Sequence, residues 1–95
     1  MEIKAIGIVG SGAVGTALAE IFLKNGFQVR IYDDFKDSLN VALAKISWSL
    51  SRSGKGELFP NIEGIQDSAG FKGADIVIET TAGDLEGRKL FFAKL

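Results

Sequence analysis

The stretch IGIVGSGAVG, from Ile6 to Gly15, decides how the rest of the chain is read. An apolar run from Ala5 to Val9 passes directly into Gly10, Gly12 and Gly15, spaced as G-x-G-x-x-G. A helical pattern follows at once, and Val14, Leu18, Ile21 and Phe22 are expected to share one face of it. A glycine turn between a buried strand and an amphipathic helix is the sequence fingerprint of a dinucleotide-binding site. Gly10 is expected to permit the tight turn out of the strand. Gly12, without a Cβ, lets a pyrophosphate approach the backbone, and Gly15 lets the helix lie close to the sheet. The N–H groups of the helix's first turn and the helix dipole then favour phosphate charge. Ser11, Ala13 and Val14 complete the turn and join the three glycines as cofactor-binding candidates.

Glycines at this spacing also occur in ordinary strand-to-helix turns, so the next element carries weight. FQVRIY, Phe27 to Tyr32, reads as a second strand and ends on Asp33. Asp33 falls 18 residues after Gly15, close to the ~20 at which a carboxylate accepts hydrogen bonds from the adenosine ribose. An alternative role for Asp33 is a turn or helix-capping residue, which Asp34 could equally fill. Between the two strands, Asn25-Gly26 ends the first helix, with glycine suited to a left-handed position just past it.

Further along, Leu39, Leu43, Ile46 and Leu50 form one apolar stripe on a second helix. Val41 and Trp48 fall off that stripe, and Trp48 is either a second packing contact, the favoured expectation, or an exposed aromatic. SGKG, Ser53 to Gly56, ends the helix. Ile62 to Gln66 is a short strand candidate after Pro60, and Asp67-Ser68 is placed to cap a single helical turn through Phe71. ADIVIE, Ala74 to Glu79, reads as a buried parallel strand. The loop Thr80 to Gly83 at its carboxyl end adds Thr81 and Ala82 to the cofactor-binding candidates. Asp84 reads as an N-cap, and Leu85, Phe91, Phe92 and Leu95 as the apolar side of a last helix.

Strands and helices alternate, which defines an α/β, Rossmann-like parallel sheet of four strands in the order 3-2-1-4. The expectation is a single dinucleotide-binding domain over residues 1–95, truncated before strands five and six of the full fold. On that reading the fourth strand is an open sheet edge, and a homodimer through it or through the last helix is expected.

Composition narrows the function classes. Eleven basic and twelve acidic side chains leave a net charge of −1, with no basic stripe for nucleic acid or an anionic membrane surface. No apolar run reaches the ~20 residues of a membrane span. Without cysteine there is no thiolate metal site, and no other metal-ligating cluster is expected. A cytoplasmic protein is the default expectation. The 95 residues contain no histidine, so the commonest proton carrier near neutral pH is absent.

IGIVGSGAVGTALAEIFLKNGFQVRIYD, followed by a long helix and then GADIVIETTAGDLEGRKLFFAKL, resembles the N-terminal domain of NAD-dependent 3-hydroxyacyl-CoA dehydrogenases over nearly the whole chain. The acid-leucine pair after the fourth strand is the more discriminating part. The resemblance implies NAD as cofactor, held by the turn Gly10 to Gly15 and by Asp33. It implies that Arg88 stands where the family has a cofactor-side lysine, and Gly83 where it has a cofactor-contacting glutamate. It implies CoA contacts at Ser49 and, for a family lysine that falls at Gly56, at Lys55 with a one-residue slip. The family's catalytic histidine and glutamate have no counterpart in these residues, so no catalytic residue is assigned. Acyl-CoA binding is expected only together with a further helical domain, and these residues alone are not expected to turn over a 3-hydroxyacyl-CoA. Two other readings stay open: the cofactor domain of another NAD(P) dehydrogenase, of prephenate or 6-phosphogluconate type, and a non-catalytic nucleotide-binding or interaction module.

Overall fold

The computed structural model describes residues 2–80 with their side chains and the backbone of residues 91–93. Its elements run β1 (Ala5–Val9), α1 (Ala13–Lys24), β2 (Gln28–Tyr32), α2 (Lys36–Arg52), a 3-10 stretch over Gly56–Asn61, β3 (Ile62–Ile65), a 3-10 turn over Ser68–Phe71, β4 (Ile76–Glu79) and β5 (Phe91–Ala93). The sheet order is β3-β2-β1-β4-β5. The first four strands are parallel in the expected order, with Ile8 of β1 opposite Ile31 of β2 on one side and Ile78 of β4 on the other. A strand with parallel neighbours on both sides needs apolar side chains on both faces, which is why β1 reads as a continuous apolar run.

Alternation within the strands assigns the faces. Ile6, Ile8, Val29, Ile31 and Ile78 join Ala19 and Leu23 of α1 and Leu39, Ile46 and Leu50 of α2 in one buried cluster. On the opposite face Phe71, from the 3-10 turn, lies against Gly7: a Cβ there would come within 2.6 Å of the Phe71 ring. Tyr32 stacks beside it, ring centroids 6.0 Å apart. Arg30, on this same face, donates to the carbonyl of Lys72 at 2.5 Å. At the amino ends of the strands the Asp75 carboxylate accepts from the N–H groups of Lys4 and Ala5 at 2.8 and 2.9 Å, tying the entry of β4 to β1.

The helices depart from expectation in detail. The buried face of α1 is Gly15, Ala19 and Leu23, flanked by half-buried Leu18 and Phe22, and Ile21 is exposed. Small residues begin this face because the first turn of α1 lies against the glycine turn, where a Cβ at Gly15 would come within 1.9 Å of the Gly10 carbonyl oxygen. The stripe on α2 buries Leu39, Ile46 and Leu50 as expected, with Ala42 added and Leu43 half-buried beside them. Trp48 does not pack into the protein. It is 62% exposed, and the Arg52 guanidinium lies over its ring at 4.7 Å. One turn apart on a solvent-facing side, the two give each other a cation–π contact in place of burial. Asp67 caps the 3-10 turn by accepting from the Ala69 N–H at 2.9 Å.

The end of the chain differs most. Phe91–Ala93 is a strand, where a helix was expected, and it runs antiparallel to β4 with Ile78 opposite Phe92. β4 is therefore paired on both sides and is not the open edge from which a homodimer was inferred. Three consecutive residues are too few for helical and extended patterns to be told apart, and the unpaired N–H and C=O groups along β4 favour the extended form. Among the described residues no helix is long and apolar enough to cross a membrane, and no group of three or more acidic side chains, cysteines or histidines is placed to hold a metal.

Candidate cofactor site

The carboxyl ends of β1, β2 and β4 meet where the strand order reverses direction from β1, the place at which open parallel sheets bind ligands. Three interlocking contacts build the floor. Gly10 leaves β1 at φ 109°, a conformation open to glycine and strained for other residues, and its N–H donates to the Tyr32 carbonyl at 2.8 Å. Gly15 lies so close behind it that a Cβ would sit 1.9 Å from the Gly10 carbonyl oxygen. Thr80, just past β4, donates its hydroxyl to the Val9 carbonyl at 2.8 Å. The first and third glycines of the fingerprint are thus both explained by packing within the protein.

Gly12 is different. A Cβ added there meets nothing within 4 Å, and its backbone, at φ −73° and ψ −165°, is open to any residue. Nothing among the described residues demands glycine there. Gly12 is also the N-cap of α1, and no side chain caps that turn. The helix therefore presents its first N–H groups, starting at Ala13 and Val14, towards open space without a side-chain acceptor. An anion approaching at Gly12 meets both the donors and the positive end of the dipole. These residues fit the pyrophosphate of a dinucleotide.

Asp33 stands beside this turn at the end of β2. Its Oδ2 accepts from the Ser11 hydroxyl at 2.6 Å and from the Ser11 N–H at 3.1 Å. Its Oδ1 accepts from the Phe35 N–H at 2.9 Å. Partial burial by itself would raise the carboxyl. The Ser11 hydroxyl, the Phe35 N–H and the Ser11 N–H outweigh that and hold Asp33 below the ordinary carboxylate value. The turn-residue alternative was also true in part, since Asp33 accepts from the N–H two residues on; Asp34 instead accepts from the Tyr32 hydroxyl and pushes that phenol up. A fixed, charged carboxylate with no cation on it among the described residues suits hydroxyl donors such as those of a ribose.

Two hollows flank Asp33. One, of about 470 Å³, is bounded by Val9, Gly10, Tyr32, Asp34, Phe35 and Glu79. The other, of about 390 Å³, lies between the glycine turn and the start of α2, against Ser11, Gly12 and Val41. The ring of Phe35, 72% exposed, stands at the edge of the first. Thr80 belongs to the loop expected to line the crevice, whereas Phe35 and the bond from the Ser11 side chain were not singled out by pattern, because what they meet at the site is set by the fold. A serine in a variable position of the glycine turn was the one available signal.

Two of the remaining candidates, Ser49 and Lys55, do not join this site. Ser49 and Lys55 lie towards the far end of α2, whose 17 residues span about 25 Å at 1.5 Å each. Ser49 is half-buried and faces Glu20 of α1, whose carboxyl is lowered first by its hydrogen bond from Lys24 and in part by one from Ser49. Lys55 is exposed. Thr81, Ala82, Gly83, Asp84, Leu85 and Arg88 lie outside the described residues.

A switch-point crevice with an uncapped helix, an open glycine and a pinned carboxylate defines a Rossmann-type dinucleotide-binding domain. The chain belongs to the 3-hydroxyacyl-CoA dehydrogenase NAD-binding-domain family, whose sequence model matches residues 5–95, and NAD is the cofactor of that domain. It is 30% identical to 3-hydroxyadipyl-CoA dehydrogenase of Escherichia coli (strain K12), over all of this chain and 22% of that protein. It is likewise 30% identical to a probable 3-hydroxybutyryl-CoA dehydrogenase of Bacillus subtilis (strain 168), over all of this chain and 36% of the other. Among solved structures, (S)-3-hydroxybutyryl-CoA dehydrogenase from Ralstonia eutropha superposes with a TM-score of 0.79 at 26% identity, over 90% of this chain and 33% of that one. The chain thus spans about a fifth to a third of the length of these relatives.

Proposed function

We propose that this chain is the cofactor-holding part of a 3-hydroxyacyl-CoA dehydrogenase, with the proton-transfer residues and most of the acyl-CoA site supplied from outside these 95 residues. Bound NAD would supply the hydride acceptor for oxidation of the 3-hydroxyl group. The chain's own residues bind and orient it. Gly12 and the first turn of α1, from Ala13 through Gly15, receive the pyrophosphate, and Asp33 accepts from the adenosine ribose. Phe35 offers a flat apolar face for the adenine. Thr81, Ala82 and Arg88 are proposed for the nicotinamide side. Lys55 is proposed to meet the CoA phosphates, with Ser49 near it on α2.

The observation that carries this reading is Asp33: a charged acceptor fixed by Ser11 and Phe35 beside an open glycine turn. An ionised carboxylate accepts from a free ribose diol and repels a 2′-phosphate. Calorimetric titration of the chain should show NAD bound tighter than NADP, by about tenfold or more for a contact of this kind. Asp33→Ala should narrow that ratio. Equal or tighter binding of NADP by the unsubstituted chain would refute the assignment.

A further inference from the structure

Ser11 is the one buried polar side chain among the described residues, 7% exposed, and no glycine-turn geometry requires a hydroxyl there. Its hydrogen bonds raise a counting problem at Asp33. A carboxylate has about four lone-pair positions, two on each oxygen. Ser11 fills both on Oδ2, with its hydroxyl at 2.6 Å and its N–H at 3.1 Å. The Phe35 N–H takes one on Oδ1 at 2.9 Å. One position remains. A ribose presents two vicinal O–H donors.

The Ser11 oxygen resolves the shortage. Its single proton is spent on Asp33, so towards any other partner it can only accept. Donating to a carboxylate polarises the hydroxyl and makes it a better acceptor. Ser11 and Asp33 also border the same hollow beside Gly12, so a sugar next to the turn meets both. We propose that Ser11 is a specificity-determining residue for the cofactor: the adenosine ribose is read by a pair of acceptors, one hydroxyl donating to Asp33 Oδ1 and the other to Ser11 Oγ. This rests on the dinucleotide reading above and adds a second residue to it. It also strengthens discrimination against a 2′-phosphate, which has no proton to give to either acceptor once ionised.

The test combines Ser11→Ala with NAD analogues lacking the 2′- or the 3′-hydroxyl of the adenosine ribose. In Ser11→Ala the carboxylate stays pinned by the two backbone N–H groups, so the variant removes the hydroxyl without releasing Asp33. NAD affinity should fall about five- to tenfold, the effect of one lost hydrogen bond of this type. For one deoxy analogue, the one missing the hydroxyl that Ser11 accepts from, the substitution should change affinity by less than about twofold. For the other the full loss should persist. Equal losses for NAD and both analogues would mean that Ser11 only stiffens the loop, and unchanged NAD affinity would mean that it makes no contact; either overturns the proposal. The unsubstituted chain gives an independent arm. Each deoxy analogue should bind it more weakly than NAD, and full affinity for either refutes the two-acceptor arrangement. Failure of the unsubstituted chain to bind NAD at all would instead remove the dinucleotide reading itself.

Discussion

Gly12 and Gly15 are three residues apart in one motif, yet the structure assigns them opposite consequences on substitution. In Gly15→Ala the new Cβ is placed 1.9 Å from the Gly10 carbonyl oxygen, against the 3.0 Å below which real contacts essentially never fall, and 3.2 Å from the Thr80 hydroxyl. The near atom is backbone, so α1 must move off the turn by about an ångström, an overpacking cost near the upper end of the usual ~1–3 kcal/mol. Better helix propensity returns about 1 kcal/mol. The net loss is about 2 kcal/mol, which for a domain of this size lowers Tm by roughly 8–16 °C. In Gly12→Ala the Cβ enters open space. A poorer N-cap costs about 0.5–1 kcal/mol, and the stiffer unfolded chain returns about the same, so Tm should stay within a few degrees. NAD affinity should nevertheless drop more than about tenfold, because that space is where the pyrophosphate approaches. Thermal unfolding followed by circular dichroism, with calorimetric NAD titration of each variant, reads both effects. A Gly15→Ala chain that melts with the parent would refute the close approach of α1 to β1. A Gly12→Ala chain that binds NAD normally would place the phosphate somewhere else.

Two further outcomes follow from the site and the opposite end of the sheet. Phe35→Ala should leave stability within about 0.5 kcal/mol, as expected for an exposed position, while weakening NAD at least about fivefold through lost stacking; an unchanged affinity would remove Phe35 from the adenine site. The Asp75 carboxyl is lowered by the backbone N–H groups of Ala5 and Lys4, so its contribution is complete above the unfolded value of about 3.9 and lost as pH falls through the lowered folded value. Urea midpoints of the parent and Asp75→Ala should differ at pH 7 and converge below about pH 3, whereas a gap independent of pH would refute the assigned cause.

Much of this molecule was legible locally. The strand–turn–helix unit, the second strand with its terminal acid, the stripe on α2, the short third strand and the Asp67 cap all depend on residues within a few positions of one another. Periodicity and turn chemistry report such relations directly. What was misread turned on how the elements are placed against one another and against solvent. Ile21 looked like a core residue by spacing, but the small residues Gly15 and Ala19 face the sheet because α1 and β1 approach so closely. Trp48 found its partner four residues on, in Arg52, and not in the core.

By itself the sequence determined the parallel α/β order 3-2-1-4, the family and the cofactor, since apolar runs, glycine spacing and an acid directly after β2 are all readable along the chain. Tertiary structure decided which roles those residues have. It separated Gly15, required by packing, from Gly12, which the fold leaves free for a ligand. It joined Ser11 to Asp33, 22 residues away, and so fixed both the charge and the remaining acceptor positions of that carboxylate. It also turned Phe91–Ala93 into a strand along β4. Each of these outcomes is set by distances between segments remote in sequence. Unpaired backbone groups and unfilled lone pairs find their partners only once the chain has closed on itself.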